Sequence, residues 1–132
     1  MILGFGADLC DIRRIAQGLE RYGDRFAAKL FTAEERARCE GRAGRAACYA
    51  KRFAAKEACA KALGLGVAQG VGWLDMSVGN DEAGRPALTL SGGAAARLTK
   101  ITPPGMRARV HLTLTDEDPY AQAMVLIEAT PC

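Results

Sequence analysis

A chain of 132 residues with 49% hydrophobic and 25% charged side chains is long enough for one core, is read as a single domain over 1–132, and is too apolar to be disordered. No apolar run approaches the roughly 20 residues that cross a bilayer, and the first residues lack the charged start and long apolar stretch of a secretory signal. A cytoplasmic protein with no membrane partner is therefore expected. The net charge of +3 is unevenly spread, because residues 1–66 carry 13 Lys and Arg against 8 Asp and Glu while residues 67–132 carry 5 against 7. The basic half suits nucleic acid, an anionic cofactor or an acidic protein. Aromatic residues are only 6% and are not interleaved with the basic ones, so a stacking platform for single strands, and with it a nucleic-acid partner, is not expected.

In chain order, Met1 to Ala7 reads as a short glycine-containing strand. From Leu9 the spacing of Leu9, Ile12, Ile15 and Leu19 predicts a helix, with Asp8 or Asp11 as its N-cap and Gly18 and Gly23 as interruptions. A carboxylate at such a strand-to-helix junction sits on fixed backbone and is equally suited to face a metal ion. Arg14, Arg21, Arg25 and Lys29 stud this stretch, either as a solvated face or as a basic patch. Phe31-Thr32-Ala33-Glu34-Glu35 reads as a capping box, with Thr32 as N-cap and Glu35 three residues on, opening a helix to about Glu40.

After a glycine-rich break at 41–44, the alanine-dense run from about Ala46 to Leu63 predicts a central helix stopped by Gly64 and Gly66. Glu57 and Lys61, four apart, share one of its faces; alone they are an ordinary exposed pair contributing roughly 0.3 to 0.5 kcal/mol. The alanines at 54, 55, 58, 60 and 62 leave room for another segment or a ligand to approach the helix axis. Beyond Gly66 the pattern becomes strand and turn: 74–79 and 87–90 flank a polar turn, a short helix covers 94–100, and 106–114 alternates Ala108, Val110, Leu112 and Leu114 with polar residues. Asp116 to Pro119 is read as a turn into a last strand, 121–129. The five cysteines are odd in number and form no Cys-x-x-Cys pair, so they are expected to be reduced, with neither disulfide nor zinc.

The stretch from Phe53 to Gly64 resembles the Phe-x-x-Lys-Glu-Ala-x-x-Lys-Ala-x-Gly motif of the 4'-phosphopantetheinyl transferases. Gly4-Phe5-Gly6-Ala7-Asp8 resembles the Gly-x-Gly-x-Asp opening of their short, single-domain branch. The resemblance implies an α+β fold, an antiparallel sheet packed against the long central helix. It also implies transfer of 4'-phosphopantetheine from coenzyme A to a serine of apo acyl carrier protein, in fatty acid biosynthesis, leaving 3',5'-adenosine bisphosphate. By position, Asp8 and Glu57 match the family's Mg2+ carboxylates; Glu57, Lys61 and Asp116 become the catalytic candidates. Arg52, Lys61, Gly64 and Thr113 become candidates for the coenzyme A site, and the patch of Arg14, Arg21, Arg25 and Lys29 for the acidic carrier protein. Short members are trimers with sites between subunits, so a homotrimer is expected.

The chain departs from its relatives at one point. Many of them place a histidine where this sequence has Asp116, while the sole histidine, His111, falls elsewhere and reads as a solvent-facing or subunit-contact residue of a strand. An aspartate near pKa 3.9 is a weaker base at neutral pH than a histidine near 6.5, so Asp116 is expected to orient rather than deprotonate, leaving Glu57 as the other choice. The alternative to an enzyme is a non-catalytic module that binds acidic proteins through the basic half.

Overall fold

The structure, a computed structural model, describes residues 1–67 and 69–132. The elements run β1 (Ile2–Asp11), α1 (Ile12–Tyr22), α2 (Asp24–Leu30), α3 (Ala33–Cys39), α4 (Arg45–Leu63), a 3-10 turn (Trp73–Asp75), β2 (Met76–Asn80), β3 (Pro86–Leu90), α5 (Gly92–Ile101), β4 (Met106–Glu117) and β5 (Tyr120–Pro131). The fold is α+β. An antiparallel sheet of order β1-β5-β4 lies beneath α4, and β2 and β3 form a separate two-stranded ladder. Alternation puts Ala121, Ala123, Val125, Ile127 and Ala129 of β5 in the core under the helix.

How closely α4 can lie on the sheet is decided by glycine. Gly4, Gly6 and Asp8 alternate onto one face of β1, and a Cβ on Gly4 or Gly6 would run into the carbonyl oxygen of Ala62 or Ala58. The alanines of α4 meet this bare strand face, and Ala54, Ala55, Ala58 and Ala62 are all buried.

Several elements differ from the sequence reading for local reasons. β1 continues to Asp11, so Leu9 is an exposed strand residue; Asp11, accepting from Arg13 N, is the N-cap and Asp8 is not. The periodic spacing misled because Leu9 falls in register with Ile12 while remaining paired to Gln122 of β5. Gly18 lies within α1, under the ring of Phe26, and the break comes only at Gly23, whose φ of 58° suits glycine. Leu74 belongs to the 3-10 turn. Asp116 stands in a strand opposite Ala121, because a tight turn at Asp118-Pro119 lets the β4–β5 ladder run out to Glu117 and Tyr120.

The cysteine expectation is overturned at one pair. Cys39 and Cys48 form a disulfide, with Cα atoms 5.5 Å apart, because the 40–44 loop folds the end of α3 back against the first turn of α4. Cys10, Cys59 and Cys132 are free.

α4 is held from its other side by a buried ion pair. Lys56 Nζ donates to Glu35 Oε1 at 2.6 Å, to the Leu30 carbonyl at 2.7 Å and to the Trp73 carbonyl at 3.0 Å, which uses all three ammonium protons. Glu35 also accepts from Thr32 N, completing the expected capping box, and from Val78 N of β2. Both side chains are fully buried. Burial pulls the Lys56 ammonium below its ordinary range and the Glu35 carboxylate opposes that shift. Breaking such a pair by removing one partner strands the other, so Lys56→Met is expected to lower the unfolding free energy by about 3–5 kcal/mol. Urea denaturation measures this; a loss below about 1 kcal/mol would mean that the pair is not what joins α4 to α2, α3 and β2.

Candidate active site

Asp8 reaches the site because it ends the glycine face of β1, and Glu57 and Lys61 reach it because they sit one turn apart on α4, which that face lets close in. Lys61 Nζ donates to the Ala7 carbonyl at 3.0 Å and to Asp8 Oδ1 at 3.2 Å. Asp8 and Glu57 together line a cavity of about 330 Å³, walled by Phe53 and Phe26 and reached by Arg14 and Cys10. Burial, and then the negative charge of Asp8, push the Glu57 carboxyl above the usual carboxylate range, while Lys61 pulls it the other way.

Two carboxylates lining one cavity, with oxygen as their only donor, suit a hard divalent cation such as Mg2+, which usually takes one or two carboxylates and fills its remaining positions with water and phosphate. Among the described residues no cluster of three or more His, Cys, Asp or Glu converges.

A second cavity, of about 600 Å³, opens between the 40–44 loop, the start of α4 and the end of β4. Arg38, Arg42, Lys51 and Arg52 face it, with Asp116 as the carboxylate among them. Asp116 Oδ1 pairs with Lys51 Nζ at 3.1 Å. Arg52 is buried; its Nη1 donates to the Cys48 carbonyl and to Cys48 Sγ, and its Nε has no partner among the described residues. A guanidinium beside three further cations on one cavity wall suits an anionic ligand.

Of the residues singled out from sequence, Asp8, Glu57 and Lys61 therefore meet, and Arg14 joins them instead of remaining on a distant patch. Arg21, Arg25 and Lys29 are exposed on α1 and α2. Arg52 and Asp116 meet in the other cavity. Gly64 ends α4 in the left-handed region with φ 78°, near the Arg97 guanidinium, and Thr113 lies on the outer face of β4. Sequence reasoning missed Arg38, Arg42 and Lys51, whose signal was only the positive excess of the first half. His111 is exposed and pairs with Glu128 at 2.8 Å across β4 and β5.

The chain matches the 4'-phosphopantetheinyl transferase superfamily over residues 4–115, and it belongs to that family. Within it, the chain is 66% identical over 131 residues to the holo-[acyl-carrier-protein] synthase of Methylobacterium nodulans, covering 99% of both chains. Its fold is similar to the crystal structure of holo-[acyl-carrier-protein] synthase from Neisseria meningitidis (TM-score 0.84, 33% identity, 97% of this chain and 99% of that one). It is also similar to a holo-(acyl-carrier-protein) synthase from Bacillus anthracis in complex with CoA (3',5'-ADP) (TM-score 0.78, 33% identity, 98% and 99%).

The cause of the Glu57 shift is testable in the metal-free protein. Asp8→Asn removes the charge that helps to raise Glu57 but not the burial that contributes more. The Glu57 titration, followed by carboxyl 13C chemical shift, should therefore move down while staying above the ordinary glutamate range. An unchanged midpoint would show that the two carboxylates do not share a field.

Proposed function

We propose that the chain transfers 4'-phosphopantetheine from coenzyme A to a serine of an apo acyl carrier protein, releasing 3',5'-adenosine bisphosphate, as its named relatives imply for themselves. The observation that carries the chemistry is that Asp8 and Glu57 line one cavity while Lys61 donates to Asp8. In the reaction the serine oxygen attacks the phosphorus that bears the pantetheine, the bond to the adenosine-side phosphate breaks, and the serine proton must go to a base. Asp8 and Glu57 would hold Mg2+, which when bound gathers the pyrophosphate charge and orients it. Lys61, more than half exposed and held only by Asp8 and a carbonyl, is free to offset phosphate charge. Glu57, which lines the same cavity, is the other carboxylate that could receive the serine proton.

Arg52 and the cations around it supply a site for the phosphates at the nucleotide end of coenzyme A. Asp116, engaged with Lys51 at that site, orients a reacting group and is not the base. The exposed cations Arg21, Arg25 and Lys29, with Arg14 at the cavity, steer the acidic carrier protein by charge. A homotrimer with shared sites is favoured by two features. Phe5, Leu9 and Met124 leave an exposed apolar patch on the outer face of the sheet, and within one chain Thr113 and Asp116 stay apart from the Asp8–Glu57 cavity.

Incubation with coenzyme A, Mg2+ and an apo carrier protein should add the mass of one phosphopantetheine arm to the carrier. Asp8→Ala and Glu57→Ala should each slow this by more than roughly 100-fold, since even outer-shell changes at metal sites cost 10–100-fold. Arg21→Glu with Arg25→Glu should raise KM for the carrier but not for coenzyme A, with the effect fading as salt rises. Carrier binding without any mass change would favour a non-catalytic module instead.

A further inference from the structure

The loop from Glu40 to Gly44 forms one wall of the basic cavity, and it is fastened at both ends. Cys39, the last residue of α3, is joined to Cys48 in the first turn of α4. Tyr49 and Arg45 both reach back to Glu40 on the same loop. Cys39 is fully enclosed, whereas Cys48 faces the cavity together with Arg38, Arg42 and Arg52. Arg52 Nη1 donates to Cys48 Sγ at 3.2 Å while its Nε has no partner among the described residues.

We propose that Cys39 and Cys48 are a redox modification site, a thiol–disulfide switch whose closed form holds the basic cavity ready for a phosphate ligand and whose open form weakens it. That the ligand is coenzyme A rests on the function proposed above.

Opening consumes a dithiol reductant. One reductant thiolate enters through the cavity and attacks Cys48 Sγ, the only sulfur of the pair that the cavity exposes. The Cys39–Cys48 bond breaks, its electron pair leaves on Cys39 Sγ, and that sulfur takes a proton. The second reductant thiolate then attacks its own mixed-disulfide sulfur; Cys48 leaves as a thiolate and the reductant departs as its own disulfide. Closing is the reverse, with a small disulfide as oxidant.

The cavity changes in two ways. In the closed form Cys48 Sγ is neutral and a weak acceptor, so the Arg52 charge remains available to a phosphate. In the open form a thiolate at Cys48, favoured by Arg38, Arg42 and Arg52, takes up that charge. At the same time the loop carrying Arg42 loses its covalent closure, and more of its freedom must be given up on binding.

The test uses the whole protein equilibrated with oxidised or reduced dithiothreitol. Alkylation of the unfolded protein, read by mass, should then find 3 free thiols in the closed form and all 5 in the open one. Calorimetric titration with coenzyme A should show the open form binding about tenfold more weakly, the size expected when one charge-assisted hydrogen bond is lost. KM for coenzyme A should rise in parallel while kcat at saturation stays the same. Cys39→Ser with Cys48→Ser, which frees the loop but supplies no thiolate, should bind coenzyme A with one affinity in both buffers, between those of the closed and open forms. Equal affinity in the two states, a fall in kcat with KM unchanged, or five alkylated thiols in the oxidising buffer would each overturn the switch. If no transfer occurs in either state while coenzyme A affinity still differs, the switch stands and the proposed transferase reading falls.

Discussion

The close approach of α4 to β1 is the constraint on which the rest depends. With no Cβ at Gly4 and Gly6, the carbonyl oxygens of Ala58 and Ala62 lie directly against the strand. Asp8, next on that strand face, then comes within hydrogen-bond reach of Lys61 and into one cavity with Glu57. A side chain at either glycine would push the helix outward, and interiors packed to crystal density absorb little of such a displacement. The glycines of the first motif and the alanines of the second are thus two halves of one contact, and the charged residues of both motifs are aimed by it.

Lys56 and Glu57, adjacent in sequence, do opposite things because neighbours on a helix point about a quarter-turn or more apart. Lys56 turns inward and ties α4 to the Leu30 carbonyl, to Glu35 and to Trp73. Glu57 turns toward the cavity and stays half-buried. The buried pair is costly to desolvate, and it persists because every donor and acceptor in it is used. One face of the helix therefore fixes its position while the next presents the chemistry.

Much of this was legible in the sequence. The helix carrying Glu57 and Lys61, its stop at Gly64, the capping box of Thr32 and Glu35 and the two hairpins follow from local chemistry and periodicity, which depend on near neighbours only. What was not legible depends on contacts between distant segments. Leu9 fits a helical period, yet pairing with Gln122 keeps it in a strand. Cys39 and Cys48 carry no spacing rule, and only the fold of the glycine-rich loop brings them together. Nothing near Lys56 in the chain marks it as buried, because its partners lie 21 residues before it in Glu35 and 17 after it in Trp73. The family resemblance named Arg52 and Asp116, but the cations that surround them come from α3, the following loop and α4, which no single window of sequence contains.

The most direct test is of the site that the helix–strand contact creates. Binding of Mn2+ as a spectroscopic stand-in for Mg2+, followed by electron paramagnetic resonance, should show one site in the folded protein. Asp8→Asn and Glu57→Gln should each weaken it by more than about tenfold, since each removes an oxygen ligand from a cation that takes only one or two from protein. Equal Mn2+ affinity in the parent protein and in both variants would contradict the account.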